Sequence, residues 1–340
     1  MSVDGLSPGG AGTSTAGARA RAGTHGRKDW SRQRVSEIQR ARLLVATGEL
    51  VSARGVTAVT VAHIVARAGV SRRTFYDLFD DRADCLLATL DGALARVSRS
   101  ARQAYDRELE WRDRTRAGLA AVLWFFDAEP ELGALCVVHA LGAGPRALER
   151  RAQVLDDLIA VVDEGRETVR GAQPPPLTAE GVVGAVFAVV HARMLDPATT
   201  ALIELLGSLM GIIVLPYQGR AAAARELTRP APAAPSLPGA HGADPLDGLG
   251  MRLTYRTLRV LNVIFEHPGA SNREIGKRAG ISDQGQTSKL LARLQKLQLI
   301  QNSGGGPSRG APNVWTLTSK SRQAMDALAG QEASTAALID

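Results

Sequence analysis

Apolar residues recur at helical spacing over most of the chain, and the breaks between those runs divide it into three segments. Residues 38–53 carry an apolar stripe that ends at Arg54-Gly55, a helix stop. Two short helices follow: Thr60 is placed to cap residues 61–67 and Ser71 to cap residues 72–79, with Ala68-Gly69-Val70 between them. From residue 81 to 218 helix succeeds helix, broken at Glu129-Pro130 and at Ala143-Gly144-Pro145. Residues 180–193 and 198–215 are helices rich in Val, Ala, Leu and Ile, with few charges. Residues 219–250 turn Ala/Pro/Gly-rich and read as a linker. Residues 251–328 resume the helical pattern, with 253–265, 271–280 and 283–297 as helices. Residues 299–302 and 313–316 then pair as strands around a Gly-rich loop. Residues 1–32 read as a disordered basic arm and 329–340 as a tail. The expected fold is mainly α, a helical bundle with a small α+β unit at the C-terminal end.

Composition supports helices over sheets: hydrophobic residues make up 45% and aromatics only 4%. Cys85 and Cys136 lie far apart with no metal-ligand spacing, so neither a disulfide framework nor a metal site is expected, but two buried thiols in a reducing compartment. The first 30 residues lack an apolar run, which argues against a signal peptide. Residues 201–215, the most apolar stretch, contain Glu204 and Ser208 and fall short of the roughly 20 residues that cross a bilayer. The expected setting is cytoplasmic, with no membrane partner.

The net charge of +7 is unevenly placed. Residues 1–34 carry six Lys/Arg against two Asp/Glu, and residues 35–80 six against four. Residues 81–250 carry 17 against 22, and residues 251–326 carry 12 against four. A polyanion would be met at both basic ends, not at the acidic middle. Arg19, Arg21, Arg27, Lys28, Arg32 and Arg34 give the N-terminal arm the means to track phosphates, or simply to stay solvated.

Two short helices joined by a Gly-containing turn form a helix-turn-helix. Its second helix must offer polar and cationic groups to base edges while its other face is buried. Arg72, Arg73 and Thr74 face outward in this reading, and Phe75, Leu78 and Phe79 inward. Tyr76 and the N-terminal end of the helix that starts at Thr60 are placed for phosphates, which position a protein without specifying sequence, and Ser71, the cap of the second helix, is counted with the DNA-binding residues. The run Gly55, Thr60, Val61, Ile64, Ala66, Ala68-Gly69-Val70-Ser71, Thr74-Phe75-Tyr76, Phe79 and Leu86-Leu87 resembles the TetR family of bacterial regulators. The resemblance implies that residues 71–77 are the recognition helix. Gly48 within the first helix and Asp77 depart from the family pattern.

The same resemblance makes residues 81–218 an effector-binding and dimerisation domain, with a homodimer paired through the two apolar helices and an unidentified small molecule as effector. Trp111, Trp124, Phe125, His139, His191 and Met194 are candidate lining residues, although aromatic and Met residues at helical spacing are more often core. Two recognition helices in a dimer would read half-sites about 34–36 Å apart on double-stranded DNA.

In the last segment Ser271 and Glu274 form a capping box, and the following helix presents Gln284, Gln286, Thr287, Ser288, Lys289 and Arg293. Arg309 sits in the loop between the strands. This segment resembles the winged helix of MarR-type regulators, except that Gln298 stands where that family usually has Gly, so a differently shaped helix end is expected. A protein-contact role for this unit, and an architectural DNA-bridging role for the whole chain, are the competing readings. No HExxH, nucleophile elbow, dinucleotide fingerprint or paired carboxylates are present, so no catalytic residues and no cofactor are expected. The expected function is a DNA-binding transcription regulator, a repressor by family habit.

Overall fold

The apolar stripe read from residue 38 onward belongs to α1 (Arg32–Arg54), whose Leu43, Ala46, Leu50 and Val51 are all buried. In the computed structural model, residues 32–196, 200–234, 254–304 and 313–336 are described. The basic arm up to residue 31 and the loop bearing Arg309 lie outside them. After α1 come α2 (Val61–Ala68), α3 (Arg72–Tyr76), α4 (Arg82–Tyr105), α5 (Trp111–Ala128), α6 (Pro130–Val137), α7 (Pro145–Asp163), α8 (Thr178–Leu195) and α9 (Leu206–Thr228). Short 3₁₀ turns at His139–Gly142, Glu164–Thr168 and Leu202–Leu205 link several of them. One apolar core runs through this body, with Leu43, Phe75, Leu90, Leu123, Leu135 and Met210 at its centre.

The chain does not leave the body at residue 219. α9 reverses at Gly219, whose φ of 78° and ψ of 179° suit a residue without a side chain, and continues helically to Thr228. The two halves lie so close that a Cβ at Gly207 would meet the Glu226 carbonyl oxygen at 2.9 Å. Ala221 to Ala224 are strong helix formers, and that run, grouped by composition with the prolines beyond it, was the reason for expecting a linker from Gly219. Buried Glu226 anchors the second half: it accepts from Arg116 Nη1 at 2.7 Å, while Arg116 Nη2 donates to the carbonyls of Arg229 at 2.7 Å and Pro230 at 3.0 Å. Arg229 pairs with Asp113 at 2.5 Å, and Trp124 Nε1 donates to Pro232 O at 3.3 Å.

Thr178–Leu195 and Leu202–Thr228 are long and apolar enough to cross a membrane by length and composition. The second is 27 residues, longer than expected, but it folds back on itself at Gly219.

The C-terminal unit is built from α10 (Tyr255–Glu266), α11 (Asn272–Ala279), α12 (Gln284–Lys296), β1 (Ile300–Asn302), β2 (Trp315–Leu317) and α13 (Ser319–Ala336). β1 and β2 pair antiparallel with Gln301 opposite Thr316, and an isolated bridge joins Ala270 to Trp315. Leu258, Leu261, Ile264, Ile275, Leu291 and Trp315 form a second core. α13 runs past residue 328 to Ala336.

Candidate nucleic-acid interface

The helix-turn-helix is fixed by local chemistry at each joint. Thr60 Oγ1 accepts from His63 N at 3.3 Å and starts α2; Gly69, at φ 65°, ends it in the left-handed conformation. Ser71 Oγ accepts from Thr74 N at 3.0 Å and starts α3. Phe75 is fully buried and packs its ring 5.7 Å from Phe79. Phe75 turns inward from α3, while Arg72 and Arg73 are exposed and Tyr76 is 58% exposed beside them. Ser71 and Thr74 are half-buried and committed to each other through a 2.8 Å hydroxyl contact. Arg82, which the sequence reading passed over, donates to the carbonyls of Val56 and Val59, both at 2.8 Å, and ties the loop before α2 to α4. A long side chain binding backbone carbonyls over 23 and 26 residues leaves no periodic signal in a sequence.

α12 is set by Asp283, which accepts from the backbone of Gly285 at 2.7 Å and Gln286 at 3.1 Å. Ser271 and Glu274 complete the expected capping box on α11, and hydrogen bonds from Ser271 hold the Glu274 carboxyl below its usual range. Gln284, Gln286, Ser288, Lys289 and Arg293 are exposed on α12, with Gln286 accepting from Arg256 at 3.0 Å and Ser288 from Asn272 at 3.3 Å. Thr287 departs from the expectation. It is fully buried, donates to Asp283 O at 3.2 Å, and its hydroxyl lies 3.1 Å from where a Cβ on Gly276 would stand, so it is the packing face against α11. Gln298 adopts φ 55°, in the left-handed region that a glycine enters without strain. Among the described residues, the side chains of Arg72, Arg73, Lys289 and Arg293 have no hydrogen-bond or ion-pair partner.

The six candidate effector residues lie on α5, on the His139–Gly142 turn and on α8. Trp111 is buried, donates to Val161 O at 3.0 Å and stacks edge-on to Tyr217 at 5.2 Å, filling the space beside Gly165. Phe125 is buried under Arg96, whose guanidinium is 5.3 Å from the ring centroid. Met194, half-buried on α8, places its methyl against Gly133 near Phe126. Trp124 holds Pro232, and His139 and His191 are half-buried. Burial lowers the His139 pKa, favouring a neutral imidazole. An open groove of about 430 Å³ lies along the two halves of α9, lined by Ser208, Ile212, Leu215 and Leu227. Cys85 and Cys136 are free and buried, as expected.

Residues 43–89 match the sequence model of the bacterial regulatory proteins, tetR family. This segment, from the middle of α1 into α4, is a TetR-type N-terminal domain, the DNA-binding part of a transcription regulator. No curated protein matches the chain. Solved structures that the chain is similar to include the fatty acid degradation regulator FadR from Bacillus halodurans, 15% identical, with a TM-score of 0.48 over 54% of this chain and 97% of that one. A TetR family transcription regulator from Marinobacter aquaeolei VT8 is 25% identical, with a TM-score of 0.43 over 53% and 96%. FadR from Bacillus subtilis, solved in complex with stearoyl-CoA, is 14% identical, with a TM-score of 0.45 over 51% and 96%.

Proposed function

We propose that this protein is a sequence-specific, DNA-binding transcription regulator of the TetR type, acting as a cytoplasmic homodimeric repressor, without catalytic activity and without a membrane partner. The observation that carries the reading is the α3 face: Arg72, Arg73 and Tyr76 exposed, the two cations unpaired, on a helix pinned by buried Phe75 and matched by the family model. The C-terminal unit is read as a MarR-like winged helix, with α12 as its base-reading helix and the loop of residues 303–312 as its wing. Exposed Lys289 and Arg293 without partners support DNA, not protein, as what it meets. Dimerisation is supported by the exposed small-residue stripe Gly181, Gly184, Ala188 and Ala192 on α8 together with exposed Ile212 and Leu215 on α9. A small apolar effector held in the helical body would alter the spacing of the two α3 helices.

The test is selection of genomic fragments by the full chain at near-physiological salt, compared with Arg72→Ala/Tyr76→Phe and with Lys289→Ala/Arg293→Ala. Loss of an enriched motif in the first variant is expected, and loss of a different one in the second. Unchanged enrichment in the first variant would sink the reading of α3; unchanged enrichment in the second would assign the C-terminal unit to protein contacts.

A further inference from the structure

α1 serves two cores. On its first turn Val35 is 2% exposed and packs among the core residues of the C-terminal unit, and Ile38 joins it there. Arg32 places its guanidinium 5.8 Å from the Tyr255 ring centroid on α10. Further along the same helix, Leu43, Ala46 and Leu50 belong to the body core with Phe75, and Arg40 lies 5.3 Å over the Phe79 ring. At 1.5 Å per residue, Val35 and Leu43 are about 12 Å apart along the axis. α1 contains no proline, so nothing in it invites a kink between the two contacts.

We propose that the C-terminal unit is docked on the first turns of α1, so that α3 and α12 of one chain read a single composite DNA site at one fixed spacing. The proposal rests on the reading of both units as DNA readers. Three observations carry it. The docking surface is the first turn of α1 against α10, and it leaves Arg72, Arg73 and Tyr76 on α3, and Gln284, Lys289 and Arg293 on α12, exposed. Neither reading face is covered, as it would be in an inhibitory contact. Second, residues 35–80 and 251–326 both carry a surplus of Lys/Arg over Asp/Glu, and the docking sets these like-charged units side by side. Such a pair is relieved by a polyanion shared between them. Third, a tether of the length of residues 235–253 would by itself leave a reach of roughly 25 Å and no preferred orientation, whereas the contact on α1 supplies both.

The experiment is selection from random duplexes with the full chain, scored for two motifs and the distance between them. The motif lost in Arg72→Ala identifies the α3 half and the one lost in Lys289→Ala the α12 half. Two motifs at a single spacing are expected. Inserting a flexible segment that doubles the 235–253 tether should leave spacing and affinity for the composite site unchanged, whereas units joined only by a tether would lose affinity about threefold. Val35→Ser/Ile38→Ser should spread the spacings while each motif alone binds as before; the insertion variant keeps the test valid if these substitutions disturb folding. Two motifs at variable spacing, or affinity that falls with tether length, overturn the docking and leave the two-reader assignment standing. A single motif overturns both.

Discussion

Replacing Glu226 with Gln probes the clamp that closes the second half of α9 onto α5. Arg116 and Glu226 are 4% and 1% exposed, so the substitution leaves a buried guanidinium facing a neutral amide. Removing one partner of a buried pair costs about 3–5 kcal/mol. The low end applies here, because Arg116 keeps its bonds to the Arg229 and Pro230 carbonyls and the more exposed Arg112 and Arg229 rehydrate. With about 2–4 °C per kcal/mol for a body of this size, the unfolding temperature should fall by about 6–12 °C. The measurement is thermal unfolding of the full chain followed by circular dichroism, with urea titration as a second probe. Arg116→Met/Glu226→Leu removes both charges and should recover most of the loss. A Glu226→Gln protein that melts within about 2 °C of the parent would refute the clamp, since the expected shift is at least three times larger. So would a double variant less stable than the single one.

Gln298→Gly should stabilise the C-terminal unit by about 1 kcal/mol, because Gln298 stands at φ 55° where a side chain is disfavoured; an unchanged denaturation midpoint would show that the turn carries no strain. Phe75→Ala should cost about 3–5 kcal/mol and remove DNA binding together with stability, whereas Arg72→Ala should remove binding alone; urea titration beside a binding assay separates the two. Burial pushes the Cys85 thiol up to about 11 and Cys136 to about 12. At pH 8 only about one Cys85 in a thousand is thiolate, so a disulfide reagent should label the native protein slowly and the unfolded chain quickly; rapid native labelling would contradict the burial. The unfolded thiols ionise near 9.0 and the folded ones higher, so this contribution to stability is complete below pH 9 and is lost as pH rises through about 11 for Cys85 and about 12 for Cys136. Cys85→Ala/Cys136→Ala should flatten that decline, and an identical alkaline profile would count against it.

What could be read from the sequence was local. Thr60, Ser71, Ser271 and Glu274 announce their helices because a cap acts over three residues, and Gly69 marks its turn because few other residues tolerate the left-handed region. Phe75 and Phe79 were placed inward by periodicity and are buried. Thr287 was misread because its hydroxyl suits both a base edge and a backbone carbonyl, and only the approach of Gly276 decides between them. Gly48 looked like a flaw in α1. A Cβ there would make only an ordinary 3.5 Å contact with Leu132 on α6, so the packing does not require a glycine at this position. The reversal at Gly219 and the Arg116–Glu226 pair were hidden for a common reason: each depends on residues from distant parts of the chain meeting, and composition averages over them.

The sharing of α1 between two cores also sets an order of events during synthesis. Val35 leaves the ribosome roughly two hundred residues before Leu258 and Leu261, an interval of about 10–40 s at ordinary elongation rates. Throughout that time the body can close around Leu43 and Phe75, while Val35 and Ile38 wait as an apolar step at the head of a finished helix. The C-terminal unit therefore condenses onto a surface that α1 has already laid down, and a chain halted before α10 leaves that step uncovered on the helical body.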